Sequence, residues 1–246
     1  MNKLKGLIGK VSRKNNIVEE QTLTDLPAFD QPFYTDITNA RIQHLKSLNL
    51  PVSGKTVIDV GCGIGRLSDF FAEQNSDIFC VDGRPENIET LRSLYPERKA
   101  EVVDLETQAI LDYGKFDIVF CYGLLYHLAD PFGFLKTAYK ICNEMMLIET
   151  CITDADDCIL RLVPEDEADV TQAVHAIGCR PSSSYVITCL RMSGFKYIYT
   201  PTELPNHVEF RYQRSNDFSY LKKGRLIRDI FIASHREIVN SKLRQC

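Results

Sequence analysis

No run of apolar residues in the 246-residue sequence approaches the roughly 18 needed to cross a bilayer, so a helical membrane span is not expected. Cys-x-x-Cys is absent, and nine cysteines are an odd number, so neither a zinc site nor a disulfide framework is expected. Cys62, Cys80, Cys121 and Cys142 stand in or beside apolar segments, where a reduced thiol acts as a small hydrophobe; this fits a cytosolic protein. Positive charge is not in excess, since 29 Lys+Arg against 33 Asp+Glu leave a net charge of −4, with no global attraction to nucleic acid. Tryptophan, internal repeats and low-complexity tracts are also missing. Met1 to Lys14 is basic and carries Leu4, Leu7, Ile8 and Val11, but it has no long apolar segment or cleavage site, so a secretory signal is not expected. What is present is ordinary for a globular chain: 44% hydrophobic and 25% charged residues argue against disorder, collagen and coiled coil.

The first thirty or so residues show no clear period and read as a mobile or docking segment. From Phe33 to Leu48 the spacing of Ile37, Ile42, Leu45 and Leu48 predicts a cap helix, with Pro51 beyond its end. Strands are then expected at Thr56–Val60, Ile78–Asp82, Ala100–Asp104, Phe116–Cys121 and Met145–Glu149. Helices are expected at Arg66–Gln74, Pro85–Tyr95 and Pro131–Ile141. Such alternation predicts a doubly wound, Rossmann-like α/β sheet. Residues 1–50 form the N-terminal segment and cap, and residues 51–246 the main domain, with an irregular insertion around 151–182. A helix at Ser182–Met192 and strands at Phe195–Thr200 and Ile227–Ser234 complete it. Asp59, Asp82, Asp104 and Tyr122 fall at or near strand ends, and the crevice beyond the carboxyl ends of strands is where such folds bind ligands.

In Val57-Ile58-Asp59-Val60-Gly61-Cys62-Gly63-Ile64-Gly65-Arg66 a strand runs into a glycine loop that opens a helix. Glycine lets the backbone turn sharply and approach a ligand where a Cβ would collide. The spacing is Gly-x-Gly-x-Gly, not the Gly-x-Gly-x-x-Gly of dinucleotide sites. Asp59 precedes the first glycine, and Asp82 follows Gly61 by 21 positions at the end of the next strand, where an acid binds ribose hydroxyls.

On these residues the sequence resembles the class I methyltransferases that use S-adenosylmethionine, well over about Lys55 to Thr150 and less clearly beyond. The resemblance implies a seven-stranded sheet with its last strand antiparallel. It implies that Asp59, Gly61, Cys62, Gly63 and Gly65 surround the methionine part of the cofactor and that Asp82, with Gly83 beside it, holds the ribose. Asp104 and Leu105 would meet the adenine, Asp104 standing alternatively as a simple cap before Glu106. Cys121 and Tyr122 would line the cofactor at the end of the fourth strand.

In this fold the loop after the fourth strand faces the transferred methyl group. Imidazole changes charge near an ordinary pKa of about 6.5, so His127 stands there as a candidate general base, or else as a packed loop residue. Tyr126 is a candidate substrate contact, or else a buried aromatic with its hydroxyl satisfied. Tyr122-Gly123-Leu124-Leu125-Tyr126-His127, then Leu147-Ile148-Glu149-Thr150, Arg180-Pro181-Ser182 and Gly194-Phe195 resemble the bacterial tRNA wobble-uridine carboxymethyltransferases and related small-molecule methyltransferases. The expected function is therefore methyl transfer from S-adenosylmethionine to a hydroxyl of a sugar, sugar nucleotide or other polar small molecule, with tRNA wobble-uridine modification as the alternative. Glu149 and Thr150 either border the pocket or cap the insertion. Arg180 and Ser182 to Ser184 either bind an anion or form a serine N-cap. Arg211, Arg214, Lys222, Lys223, Arg225 and Arg228 either bind a phosphorylated ligand or are solvated surface charge. The histidines show no metal spacing, and no metal is expected.

Overall fold

The computed structural model describes residues 27–246; the basic opening and most of the expected docking segment lie outside them. Among the described residues, ten strands and six α-helices follow in chain order. The strands are β1 (Thr56–Val60), β2 (Asp77–Asp82), β3 (Lys99–Val102), β4 (Phe116–Tyr122), β5 (Cys142–Cys151), β6 (Leu160–Pro164), β7 (Ile177–Pro181), β8 (Tyr197–Pro201), β9 (Arg228–Ser234) and β10 (Leu243–Gln245). The helices are α1 (Pro32–Ser47), α2 (Asp69–Ala72), α3 (Pro85–Leu94), α4 (Pro131–Ile141), α5 (Ser183–Ser193) and α6 (Ser219–Lys222). Among the described residues no helix is long and apolar enough to cross a membrane.

The main sheet runs β3-β2-β1-β4-β5-β9-β8-β10. Strands β1 to β5 are mutually parallel, whereas β9 is antiparallel to both β5 and β8. The doubly wound sheet is therefore present with eight strands instead of seven. The antiparallel strand β9 lies inside the sheet, and the additional strand β10 pairs antiparallel with β8 at the edge. Three residues of mixed polarity, Leu243-Arg244-Gln245, carry no period-two pattern from which such an edge strand is legible.

Alternate residues of the central strands feed opposite faces, as the pleat requires. Val119 and Cys121 join Phe134, Leu135 and Ala138 of α4 and Val186 and Leu190 of α5 in one apolar cluster. Ile118, Phe120 and Tyr122 join Ile37 and Leu45 of α1 and Ile88 and Leu91 of α3 in the other. Strands buried on both faces in this way read as unbroken apolar runs. Helix α4 begins where its residues dictate: Asp130 accepts from Gly133 N, and Pro131 occupies the first turn. Helix α5 is capped by Ser182, which accepts from Tyr185 N, and ends on Gly194 at φ 116°.

Two further expectations change. The helix foreseen over Arg66–Gln74 is confined to Asp69–Ala72, because the preceding residues turn with the glycine loop and Ser68 spends its hydroxyl on Asp59 rather than on a cap. The irregular insertion contains a two-stranded antiparallel hairpin, β6–β7. Its strands carry arginine, glycine and proline, and Leu162 is exposed, so no inward–outward alternation marks it.

Candidate active site

A cleft of about 1110 Å³, its open mouth included, lies at the carboxyl edge of the parallel strands. The loop from β1 forms its floor. Gly61 has φ +69°, and a Cβ there would stand 2.7 Å from Leu124 Cβ; at Gly63 it would meet the Phe29 ring at 3.1 Å. Gly61→Ala should therefore lower stability by about 1–3 kcal/mol, from strain at positive φ and overpacking together. Urea denaturation checks it; a variant as stable as the parent would show that the loop yields freely.

Gly61, Cys62, Gly63, Asp82, Gly83, Asp104, Leu105, Tyr122, Tyr126 and His127 all line this cleft. Asp59, Gly65 and Cys121 stand behind it. Asp59 is buried and accepts from Ser68 at 2.5 Å; burial pushes its carboxyl up to about 7, against the opposing pull of that hydrogen bond. A Cβ on Gly65 would meet the Leu91 side chain, and Cys121 is fully buried in the core. Asp82 has one carboxylate oxygen on Gly63 N at 2.9 Å and the other on Arg84 N and Asn87 Nδ2. It thus ties the glycine loop to the end of β2 and, with four acceptor sites on its two oxygens, keeps capacity for another donor. Asp104 accepts from Glu106 N and meets His175 Nε2 at 3.0 Å.

At the other end of the cleft, His127 Nδ1 lies 2.5 Å from Glu165 Oε2. Burial raises the Glu165 carboxyl, but the His127 hydrogen bond and neighbouring charge outweigh it and hold the group below the usual carboxylate range. The Tyr126 ring is flanked by the guanidinium carbons of Arg180 and Arg228, at 5.2 and 5.0 Å from its centroid. Arg228 Nη2 donates to its hydroxyl at 3.4 Å, and burial pushes the phenol up, so Tyr126 stays a neutral hydroxyl and not a base. Beneath it Glu149, fully buried, receives Arg41 at 2.7 Å and Arg228 at 3.0 Å, while Arg228 Nε also binds Glu209. Two cations and two carboxylates balance there. Arg228 is therefore no solvated loop charge, although Arg211, Lys222, Lys223 and Arg225 are exposed. Glu149 sits within β5 instead of capping it.

Phe29, Tyr34, Thr38 and Arg41 wall one side of the cleft, and residues 170–175 of the β6–β7 connection wall the other. Neither wall is marked by a motif. Arg41 and Glu165 likewise carry no local sequence signal, and Arg228 stood only as one of a basic stretch. Among the described residues no group of His, Cys, Asp and Glu is placed to hold a metal, and all nine cysteines are free thiols.

Residues 58–144 match the Methyltransferase domain family. A tRNA U34 carboxymethyltransferase of Actinobacillus succinogenes is 31% identical over 178 residues, covering 68% of this chain and 53% of that protein. A ubiquinone biosynthesis O-methyltransferase of Psychrobacter arcticus is 31% identical over 105 residues, 40% of each chain. This chain thus spans about half or less of the length of these curated relatives. The solved N-terminal domain of EvdMO1 with SAH bound has the same fold, with a TM-score of 0.63, 18% identity and 81% of both chains covered. Residues 58–144 thus form a methyltransferase domain, on the fold of a solved structure that holds SAH. The residues present fit that group: the glycine loop is bare where side chains would collide, and Tyr122 Oη and Arg41 Nε are buried at the cleft without a protein hydrogen-bond partner.

Proposed function

We propose that this chain methylates a hydroxyl group of a polar small molecule, with a sugar or sugar nucleotide as the acceptor class. The observation that carries this reading is a carboxylate-held histidine on the same cleft as the glycine loop and Asp82. Bound S-adenosylmethionine supplies an activated methyl group on a sulfonium centre. Gly61 to Gly63 would receive its methionine part, Asp82 its ribose hydroxyls, and Asp104 with the Leu105 amide its adenine. His127 would take the proton from the acceptor hydroxyl, and the walls on either side would exclude water. The balanced charges under Tyr126 place no demand on the acceptor to be an anion. Residues 27–50 would serve as one cover of the site, and the insertion around 151–182 as the other. Release of S-adenosylhomocysteine over a panel of sugars and sugar nucleotides tests the reading, which fails if cofactor binds and none is turned over.

The carboxymethyltransferase relatives and the exposed Arg211, Lys222, Lys223 and Arg225 favour tRNA as a second reading. Its mark would be tRNA binding that weakens steeply with salt, because phosphate contacts release counterions. Asp82→Ala should weaken cofactor binding by about 1.5–3 kcal/mol, the scale of charge-assisted hydrogen bonds, and Asp82→Asn by less. Calorimetry with S-adenosylhomocysteine checks both, and unchanged affinity in the folded alanine variant would remove Asp82 from the ribose site.

A further inference from the structure

The β6–β7 connection reaches both ends of the cleft. At the adenosine end Arg84, just past β2, donates to the carbonyls of Glu167, Gln172 and Ala173 at 2.6, 3.3 and 2.9 Å. Asn87 Nδ2 donates both to Asp82 and to Val170 O, each at 3.1 Å. Val174 lies against Gly83, where a Cβ would stand 2.8 Å from its methyl group, and His175 meets Asp104. At the acceptor end the same connection begins with Glu165, whose Oε2 faces His127 Nδ1 and also accepts from Ala173 N at 2.8 Å. Its Oε1 faces Arg180 at 3.4 Å. The hairpin comes this close because Gly178 has no side chain: a Cβ there would lie 2.6 Å from Tyr126 O and 2.5 Å from Glu165 Oε1.

An ionised carboxylate accepts only, so the ring nitrogen facing it must carry hydrogen. In a neutral imidazole the lone pair is then left on Nε2, the nitrogen free to take a proton. We infer that Glu165 is a positioning residue for His127: it fixes the Nδ1–H tautomer, from a strap that ties the base to the adenosine end of the cleft. The inference rests on the cleft being a methyl-transfer site that uses His127 as base. The strap makes one segment responsible both for covering the cofactor pocket and for presenting the lone pair. A hairpin shifted off Arg84 and Asn87 would carry Glu165 away from the ring.

The test needs no acceptor. Long-range nitrogen–proton spectra of the whole protein, with labelled histidine and His127 assigned by His127→Gln, report the tautomer at a pH of about 8.5, above the ordinary imidazole range. The wild-type ring should be in the Nδ1–H form. Glu165→Ala should shift it to predominantly Nε2–H, the form free imidazole favours, and Glu165→Gln should restore Nδ1–H because its amide oxygen still accepts. A role confined to stability would leave the tautomer unmoved. An Nε2–H ring in the wild type, which no folding defect can confuse, overturns the inference, as does an unaltered tautomer in folded Glu165→Ala. Calorimetry with S-adenosylhomocysteine separates the two readings: wild-type protein that fails to bind it sinks the methyl-transfer reading, whatever the tautomer shows.

Discussion

Glu149→Ala is expected to lose about 3–5 kcal/mol of folding stability, the cost of removing one partner from a buried ion cluster. Arg41 and Arg228 both donate to this carboxylate, and both are buried. Arg228 would keep Glu209, but Arg41 would have no carboxylate within reach in the described structure. Glu149→Gln should fall between, since it keeps an acceptor and loses the charge. Burial alone raises the Glu149 carboxyl, yet Arg228 and Arg41 outweigh it and hold the group below its ordinary range. A carboxyl depressed in the folded state stabilises fully above the unfolded value of about 4.3 and loses that contribution as pH falls through the folded value. Urea midpoints at neutral pH and along an acid series measure both effects. An alanine variant with parental stability would show that the four charges are not interdependent.

His127→Ala should lower turnover by about 10²–10⁴-fold once an acceptor is in hand, as loss of a general base does. Affinity for S-adenosylhomocysteine should change little, while melting temperature should fall only in part, because Glu165 loses His127 but retains Arg180 and Ala173 N. Full turnover per folded molecule in this variant would leave His127 as a loop residue only. Parallel loss of stability and cofactor affinity would mean the same.

Local chemistry was readable and distant chemistry was not. The glycine loop, the acid at the end of β2, and Pro131 opening α4 each announce themselves within a few residues, because turn geometry and helix starts are local demands. The central parallel strands were visible because burial on both faces leaves mostly apolar runs, whereas edge strand β3 is exposed at three of its four residues. By contrast, Glu149 meets Arg41 across 108 positions and Arg228 across 79, and nothing near any of the three marks the pairing. Arg228 was read with Lys222, Lys223 and Arg225 as ligand-binding or solvated charge, but it alone of the four is buried. The β6–β7 hairpin escaped because a small ribbon at the cleft wall need not bury one face. Glu165 opens the acidic run Glu165-Asp166-Glu167, and its partner His127 lies 38 positions earlier, with no spacing rule to join them.

Strand β9 runs antiparallel between β5 and β8, and its Ile230 is paired in register with Glu149. On the ribosome β5 emerges long before it, with one flank lacking its final neighbour, and β8 follows with nothing to attach it to the sheet. The nascent chain must therefore hold two unsatisfied strand edges open until residues 228–234 arrive to close the gap between them. Non-local pairing of this kind is slow to form, and exposed edges invite wrong partners while it waits. The gap is closed from within, leaving only β10 to add the edge, and the same late strand delivers Arg228, so the cluster under Tyr126 gains its charge balance only when β9 inserts.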